Sequence, residues 1–466
     1  MSGIKYEAFF GDKRIDKRGN ALTRQLFLRG TRSIQSLSLS RAEQKGYYRF
    51  LHNTKATEEK LIKEITERCR KSSKGKIVLS IQDTSEVNLS AHAGRLKAGS
   101  GVGGIDDHHK SIGFKLHPSL VIDAQTCFPL GFSDIRIWNR PPGQPDKHER
   151  GYEKLPIEEK ESYKWLESGN KTKECLSDAR AVIIIQDREG DIFEQFLRVP
   201  DERTFLLIRS ATNRHTATEE RLWDEVSQSA LMGQYEIHVS ADSHCKEAAR
   251  VALIEVRSIC IDIKAPRHDR KNKGQIATLN IIEAKEINTT AKNPIIWRLL
   301  TTWPVTNYEE ALMVIEWYSW RWFIEELFRM LKKEGFNIEG SELETGWAIR
   351  KLTVMLLDTI IKLMQMHIAY NEPEQANVPE TGIVFSTQEQ ECLQAINITM
   401  EGKTKALKNP YHAGMLNHAT WIIARIGGWK GYHSQRPPGM TTLLNGLREF
   451  YAIFTGWSIQ IDVGTR

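Results

Sequence analysis

The sequence predicts an α/β chain whose sheet-forming core is interrupted by a mostly β insertion and flanked by helical segments. Two apolar runs, Ile77-Val78-Leu79-Ser80-Ile81-Gln82 and Ala181-Val182-Ile183-Ile184-Ile185-Gln186, are short, rich in β-branched residues and bounded by loop signals, so each reads as a buried strand. Alternation with a period of two marks Tyr235, Ile237 and Val239, and again Val251 through Leu253, Glu255, Arg257, Ile259 and Ile261 to Ile263, as a separate β segment. The two ends of the chain read as helical. These shifts place boundaries at residues 1–70, 71–371 and 372–466, with the insertion at about 215–300.

Taken in order, the first strand ends at Asp83-Thr84 and leads into a glycine-rich loop. Strands are expected near Gly113–Ile122 and Leu130–Ile137, then a Pro/Gly loop at Pro141–Pro145 and a helix over Ile157–Leu166. The second apolar strand runs into Asp187-Arg188-Glu189-Gly190-Asp191, and a further strand covers Thr204–Arg209. Gly99-Ser100-Gly101-Val102-Gly103-Gly104 fits a dinucleotide fingerprint by spacing, but a strand follows it where a helix is required. The last 110 residues or so are helical, with breaks at Gly427-Gly428 and Pro437-Pro438-Gly439.

One further helix is expected from Tyr308 to Lys333, a run without Pro or Gly, with Thr306 and Glu309 as a capping box and Gly335 at its end. On it Tyr318, Arg321, Glu325 and Lys332 are offset by rotations of about 300°, 340° and 320° from the first, so all four share one face. Beside them runs an apolar stripe of Trp320, Ile324, Leu327, Phe328 and Leu331. A carboxylate set among a phenol, a guanidinium and an ammonium suits a site that holds a metal ion and grips phosphates, although a solvated face with internal ion pairs has the same pattern. Asp83 and Asp187, each ending a buried strand, add two carboxylates that need compensation by a cation or a donor. Three carboxylates are the ligand set of a pair of hard divalent ions.

Composition narrows the partners. Of 466 residues 40% are hydrophobic and 27% charged, which is ordinary for a globular chain. The most apolar stretch, Val354–Ile368, is interrupted by Asp358, Lys362 and Gln365, so no membrane span is expected, and the N-terminus has no export signal. Six dispersed cysteines without a C-x-x-C pair point to reduced thiols in the cytoplasm. Residues 1–76 hold 19 Lys and Arg against 8 Asp and Glu, a surplus of +11 in a chain of net +6, so the remainder carries −5. This basic N-terminus, with Arg14, Arg18 and Arg49 among its cations, predicts binding to the phosphate backbone of double-stranded DNA.

The spacing of Tyr318, Arg321, Glu325 and Lys332, with Asp83-Thr84 and Asp187-Arg188-Glu189-x-Asp191, resembles the DDE transposases of the insertion-sequence-four family, and within it the transposon-five type. Gly46-Tyr47-Tyr48-Arg49-Phe50, Glu159-Lys160-Glu161-Ser162-Tyr163-Lys164-Trp165, Trp297 ahead of Leu299-Leu300-Thr301, and Ile423-Ala424-Arg425-Ile426-Gly427-Gly428 extend the resemblance over nearly the whole chain. The resemblance implies a ribonuclease-H-like core in which Asp83, Asp187 and Glu325 hold two Mg²⁺ or Mn²⁺ ions. It assigns Tyr318, Arg321 and Lys332 to phosphates and Trp297 to a base flipped out during hairpin formation. It also implies recognition of transposon ends by the N-terminal region, joining to target DNA, and a synaptic homodimer built through the C-terminal helices. Two other readings stay open: a structure-selective nuclease with the same core, and a non-catalytic DNA-binding regulator.

Overall fold

The computed structural model describes residues 6–97, 99–106, 111–140, 155–241, 247–266, 269, 271–372, 377–404, 408–431 and 436–464. The Pro/Gly loop expected at 141–145 lies outside them. Four helices open the chain: α1 (Lys13–Arg29), α2 (Ile34–Leu37), α3 (Arg41–Leu51) and α4 (Glu58–Ser73). Each begins where a side-chain oxygen of Asp12, Ser33, Ser40 or Thr57 accepts a backbone N–H, satisfying a donor that the first helical turn leaves free. At Gly19 the absence of a side chain lets α1 lie against α3, since a Cβ there would stand 2.8 Å from the Phe50 ring.

A mixed sheet of eleven strands follows. Its first part is β1 (Ile77–Gln82), β2 (Ser85–Asn88), β3 (Gly103–Gly104), β4 (Ile112–Asp123) and β5 (Pro129–Trp138), with β4 antiparallel to the other four. Gly103–Gly104 of the glycine-rich run is thus strand, and no helix grows from it. The chain then crosses through α5 (Tyr163–Cys175) to β6 (Ala181–Gln186), parallel to β1, and through α6 (Phe193–Arg198) to β7 (Thr204–Arg209), parallel to β6. The helix expected over Ile157–Leu166 is displaced: Ile157–Glu159 is a single 3₁₀ turn, and the α-helix starts at Tyr163 and ends at Cys175.

The inserted segment continues the same sheet. After α7 (Leu222–Gln228) come β8 (Leu231–Val239), β9 (Arg250–Lys264), β10 (Ile276–Ile287) and β11 (Ile296–Thr301), an antiparallel meander whose last strand pairs with β7. The order across the sheet is therefore β5-β4-β1-β6-β7-β11-β10-β9-β8, with β2 on the β1 side of β4. Alternating exposure along β8 and β9 explains their period-two pattern.

Helices close the chain: α8 (Tyr308–Ser319), α9 (Trp322–Lys332), α10 (Gly346–Asn371), α11 (Thr387–Met400), α12 (Leu416–Ile426) and α13 (Met440–Gly464). The single helix expected over Tyr308–Lys333 is thus two. Ser319 Oγ donates to the Glu316 carbonyl, and the N–H groups of Arg321, Phe323 and Ile324 turn to carbonyls three residues back, which tightens the chain and breaks the α-helical ladder. The cap also differs. Asn307 accepts from the Glu310 N–H, while Glu310 accepts from the backbone and hydroxyl of Thr306.

By length and composition α10 could cross a membrane, but 78% of its most apolar window is buried inside the protein. Its charged residues are used there: Arg350 forms a two-pronged pair with Glu58 of α4 and also donates to the Ile137 carbonyl, and Asp358 pairs with Arg68. The Arg350 and Glu58 side chains are only 9% and 10% exposed. Removing one member of such a pair strands the other in a dry environment, so Glu58→Ala is expected to destabilise the protein by about 3–5 kcal/mol. Urea denaturation followed by tryptophan fluorescence measures this. An unchanged midpoint would show that water reaches Arg350.

Candidate active site

Parallel pairing of β1 with β6 sets the site. The register runs from Ile77 opposite Ala181 to Ile81 opposite Ile185, and continued by two residues it puts Asp83 beside Asp187 at the ends of neighbouring strands. Strands in a sheet lie about 4.8 Å apart, so the sheet itself forces two carboxylates together. The β6–β7 register, Gln186 opposite Ile208, adds Arg209 next to Asp187. Behind these residues, on the other face, Gln82 and Gln186 bond to each other at 2.8 Å, and Gln195 bonds to Gln186 and to the Gly190 carbonyl. This amide ladder lies wholly inside the protein and ties the two strand ends in register.

Glu325 arrives from the far end of the sequence on α9, whose buried face of Ile324, Leu327, Phe328 and Leu331 is the apolar stripe expected there. Trp320 lies in the break and is half-buried. Arg321, at the start of α9, connects the pieces. Its guanidinium donates to Asp83 Oδ2 at 3.2 Å and pairs with Glu325 Oε1. Asp83 Oδ1 accepts the Thr84 N–H at 2.7 Å, and Asp187 accepts the Glu189 N–H at 2.9 Å as the cap of a 3₁₀ turn.

The electrostatics follow from crowding like charges under partial burial. Burial and the charge of Asp187 push Asp83 up to about 6, against the Thr84 N–H and Arg321, which favour the charged form. Asp187 is raised as well, by burial first, against the Glu189 N–H and the cations Arg321 and Lys164. Arg321 is held above its ordinary range because Tyr318, Glu325 and Asp83 outweigh its own burial.

The other stripe residues surround this centre. Tyr318, 4% exposed, closes α8, and its ring meets Trp297 of β11 edge-on at 5.4 Å. Trp297 is half-buried, on the strand next to β7. Lys332 reaches the far side, 3.4 Å from Ser85 Oγ and 3.5 Å from Glu339. Two cations join that the sequence reading passed over. Arg209 donates to the Ile296 carbonyl at 3.3 Å and lies near Tyr318, and its burial, with the charge of Arg188 directly after Asp187, lowers its pKa. The signal for Arg209 was present: like Asp83 and Asp187, it ends a β-branched or apolar strand on a charge. Asp191 serves the scaffold instead, with its side chain fully buried, paired to Arg214 and accepting from the Ala211 and Thr212 N–H groups.

The N-terminal cations divide between two uses. Arg14 and Arg49 are exposed and Arg18 is half-buried beside Gly46. Arg24 instead pairs with Glu389 of α11, Arg29 lies over the Tyr451 ring of α13, and Arg32 donates to the Phe336 carbonyl. Arg24 and Arg29 thereby hold α1 to α11 and α13, and Arg32 ties the stretch after α1 to the segment that follows α9.

Among the described residues no group of three or more His, Cys, Asp or Glu side chains is placed so that it could hold a metal ion. Arg321 stands between Asp83 and Glu325 and supplies the positive charge. By chemistry the oxygens of Asp83 and Asp187, held side by side at a cost in ionisation, are donors that suit a hard divalent cation, while Glu325 is engaged by Arg321. A cavity of about 1240 Å³ lies elsewhere, lined by Phe193, Arg198, Arg214 and Lys264 among others and by none of the three carboxylates.

Residues 6–56 match the family described as Transposase DNA-binding, a span that takes in α1 to α3. Among solved structures, the chain is similar to a cryo-EM structure of piggyBac transposase in a synaptic complex with hairpin DNA. Identity is 8% and the TM-score 0.36, over 78% of this chain and 68% of that one.

A raised Asp83 pKa means that between its ordinary value near 3.8 and about 6 the fold keeps a proton that the unfolded chain has released. Stability from this group therefore falls as pH rises through that window, and the penalty is complete above it. Asp83→Asn should raise the melting temperature at about pH 7.5 in metal-free buffer, and the gain should vanish near pH 4. Thermal scans across that range measure it; a lower melting temperature at about pH 7.5 would mean that the Arg321 pair outweighs the repulsion from Asp187.

Proposed function

We propose that this protein is a DDE transposase of the insertion-sequence-four family, transposon-five type, which binds transposon ends, cuts DNA there and joins them to target DNA. The observation that carries the reading is that Arg321 joins Asp83 to Glu325 while strand register sets Asp187 beside Asp83, so three distant segments bring their acids to one place. The match of residues 6–56 to a transposase DNA-binding family supports it independently. The strand order β5-β4-β1-β6-β7, three antiparallel strands followed by two parallel ones, is that of a ribonuclease-H-like core.

In this reading Asp83, Asp187 and Glu325 would hold two Mg²⁺ ions, for which Mn²⁺ would substitute. Bound there, they would supply Lewis-acid polarisation of the scissile phosphate and a water or 3′-hydroxyl made nucleophilic at neutral pH. The chain's own residues set the geometry. Arg321 exchanges its carboxylate partners for a phosphate, Lys332 grips the backbone on the β2 side, and Tyr318 with Arg209 hydrogen-bonds a phosphate on the β11 side. The incoming oxygen forms its bond to phosphorus as the opposite bond to the leaving oxygen breaks, an in-line displacement without a covalent enzyme intermediate. Trp297, packed on Tyr318, offers a ring face for a base extruded when the end folds into a hairpin. Arg14, Arg18 and Arg49 contact the phosphates of the end, and a homodimer pairs two ends. A nuclease of the same core needs the carboxylates but neither the cation stripe nor Trp297.

Asp83→Ala, Asp187→Ala and Glu325→Ala should each abolish strand cleavage in Mg²⁺ while end binding persists in gel shifts. Normal nicking by any one of them removes that residue from the reaction. Trp297→Ala should leave the first nick nearly intact and slow hairpin formation, because roughly 1–3 kcal/mol of stacking is lost at the strained step. Products from a labelled end, resolved as nicked, hairpin and double-strand-break species, separate the steps. Equal slowing of both would return Trp297 to a purely structural role.

A further inference from the structure

We propose that His117, on the face of the sheet away from the carboxylates, is a positioning residue for Asp83 that acts through Thr84. The proposal rests on the carboxylate site described above. β1 and β2 pair with the same edge of β4 in one continuous register, Gln82 opposite Ser119 and Ser85 opposite Leu116, which leaves Asp83 and Thr84 between them as the two residues outside the ladder. The same register sets Thr84 directly opposite His117. Where the backbone ladder lapses, the imidazole takes over: its Nδ1 lies 2.9 Å from Thr84 Oγ1.

His117 is itself tightly held. It is fully buried, and its ring meets the equally buried Trp165 edge-on at 4.8 Å and 86°. Burial, with the nearby charges of Lys164 and Arg136, keeps the imidazole neutral. A neutral ring has one donor and one acceptor. Its Nε2 has no hydrogen-bond partner among the described residues, and a bare acceptor costs less than a bare N–H. The tautomer with Nδ1–H donating to Thr84 Oγ1 is therefore favoured.

Thr84 passes the constraint to the carboxylate. Its N–H donates to Asp83 Oδ1 at 2.7 Å, fixing one oxygen and leaving Oδ2 turned toward Arg321 and the site. Trp165, His117, Thr84 and Asp83 thus form a chain from the core behind the sheet to the reacting side. Groups that orient a metal-ligating carboxylate typically change metal affinity by roughly 10–100-fold when removed.

The test measures Mn²⁺ binding to the full-length protein by electron paramagnetic resonance of the free ion, alongside thermal unfolding. Thr84→Val removes only the hydroxyl and keeps the shape. It should raise the Mn²⁺ concentration for half-saturation about tenfold or more and lower the melting temperature modestly, since the buried His117 N–H loses its acceptor, and Thr84→Ser should restore both wild-type values. His117→Phe should behave like Thr84→Val where it folds; Thr84→Val carries the test where it does not. If Asp83→Ala loses the ion but Thr84→Val binds it as the wild type does, the positioning role is overturned and the carboxylate site stands. Wild-type Mn²⁺ binding by Asp83→Ala overturns both.

Discussion

Two carboxylates held one strand spacing apart repel each other, and the sheet gives them no freedom to separate. Water would ordinarily soften that repulsion, but both are largely buried, and both resist ionisation. The surrounding groups read as answers to this constraint. Backbone N–H groups of Thr84 and Glu189 each neutralise part of one carboxylate, Arg321 bridges Asp83 to Glu325, and Lys164 approaches Glu189 at 3.3 Å from beneath. Among these groups the Arg321 guanidinium is the cation that touches two of the three acids.

The rest of the molecule stiffens that arrangement with polar contacts made inside the protein. The amides of Gln82, Gln186 and Gln195 are satisfied by one another, so burying them costs little and selects one register. The Glu58–Arg350 and Arg68–Asp358 pairs fasten α4 to the central helix α10, and Arg24 fastens α1 to α11. Such pairs add specificity more than stability, since charge taken out of water gains little net energy even when well paired. One apolar core runs from α1 to α13. Helices at opposite ends of the sequence therefore support the same sheet.

Much of this was legible in the residues themselves. Strand-forming runs that end on Asp83 and Asp187 stand out because β-branched residues cluster and then stop at a charge. Periodicity made Glu325 and Lys332 visible as residues of one helix, with Arg321 at its start, whereas Tyr318 belongs to the helix before it. The break between Tyr318 and Arg321 was not visible, because no Pro or Gly marks it; a serine hydroxyl and a shift to three-residue hydrogen bonds make it, and both depend on local geometry. The cap moved from Thr306 to Asn307 because either residue has the oxygen, and only the path of the chain decides. Helix α5 began six residues later than its apolar pattern suggested, since Ile157 is buried from a 3₁₀ turn. Arg209 ends its strand on a charge as the two aspartates do, but only the β6–β7 register shows that it stands beside Asp187, and Arg188 carries no such pattern. The N-terminal surplus of charge also overstated the free cations, because Arg24, Arg29 and Arg32 face neighbours from much later in the chain.

The matched Gln-Asp pairs that close β1 and β6 have a consequence for how such a gene can drift. Side chains alternate between faces, so a change of one residue in strand length would turn an amide into the reacting face and drive a carboxylate into the dry layer behind it. Apolar replacements along either strand leave that alternation intact. A codon gained or lost between Ile77 and Asp83, or between Ala181 and Asp187, does not. A chain can therefore keep all three acids and still lose their arrangement through nothing more than a strand of the wrong length.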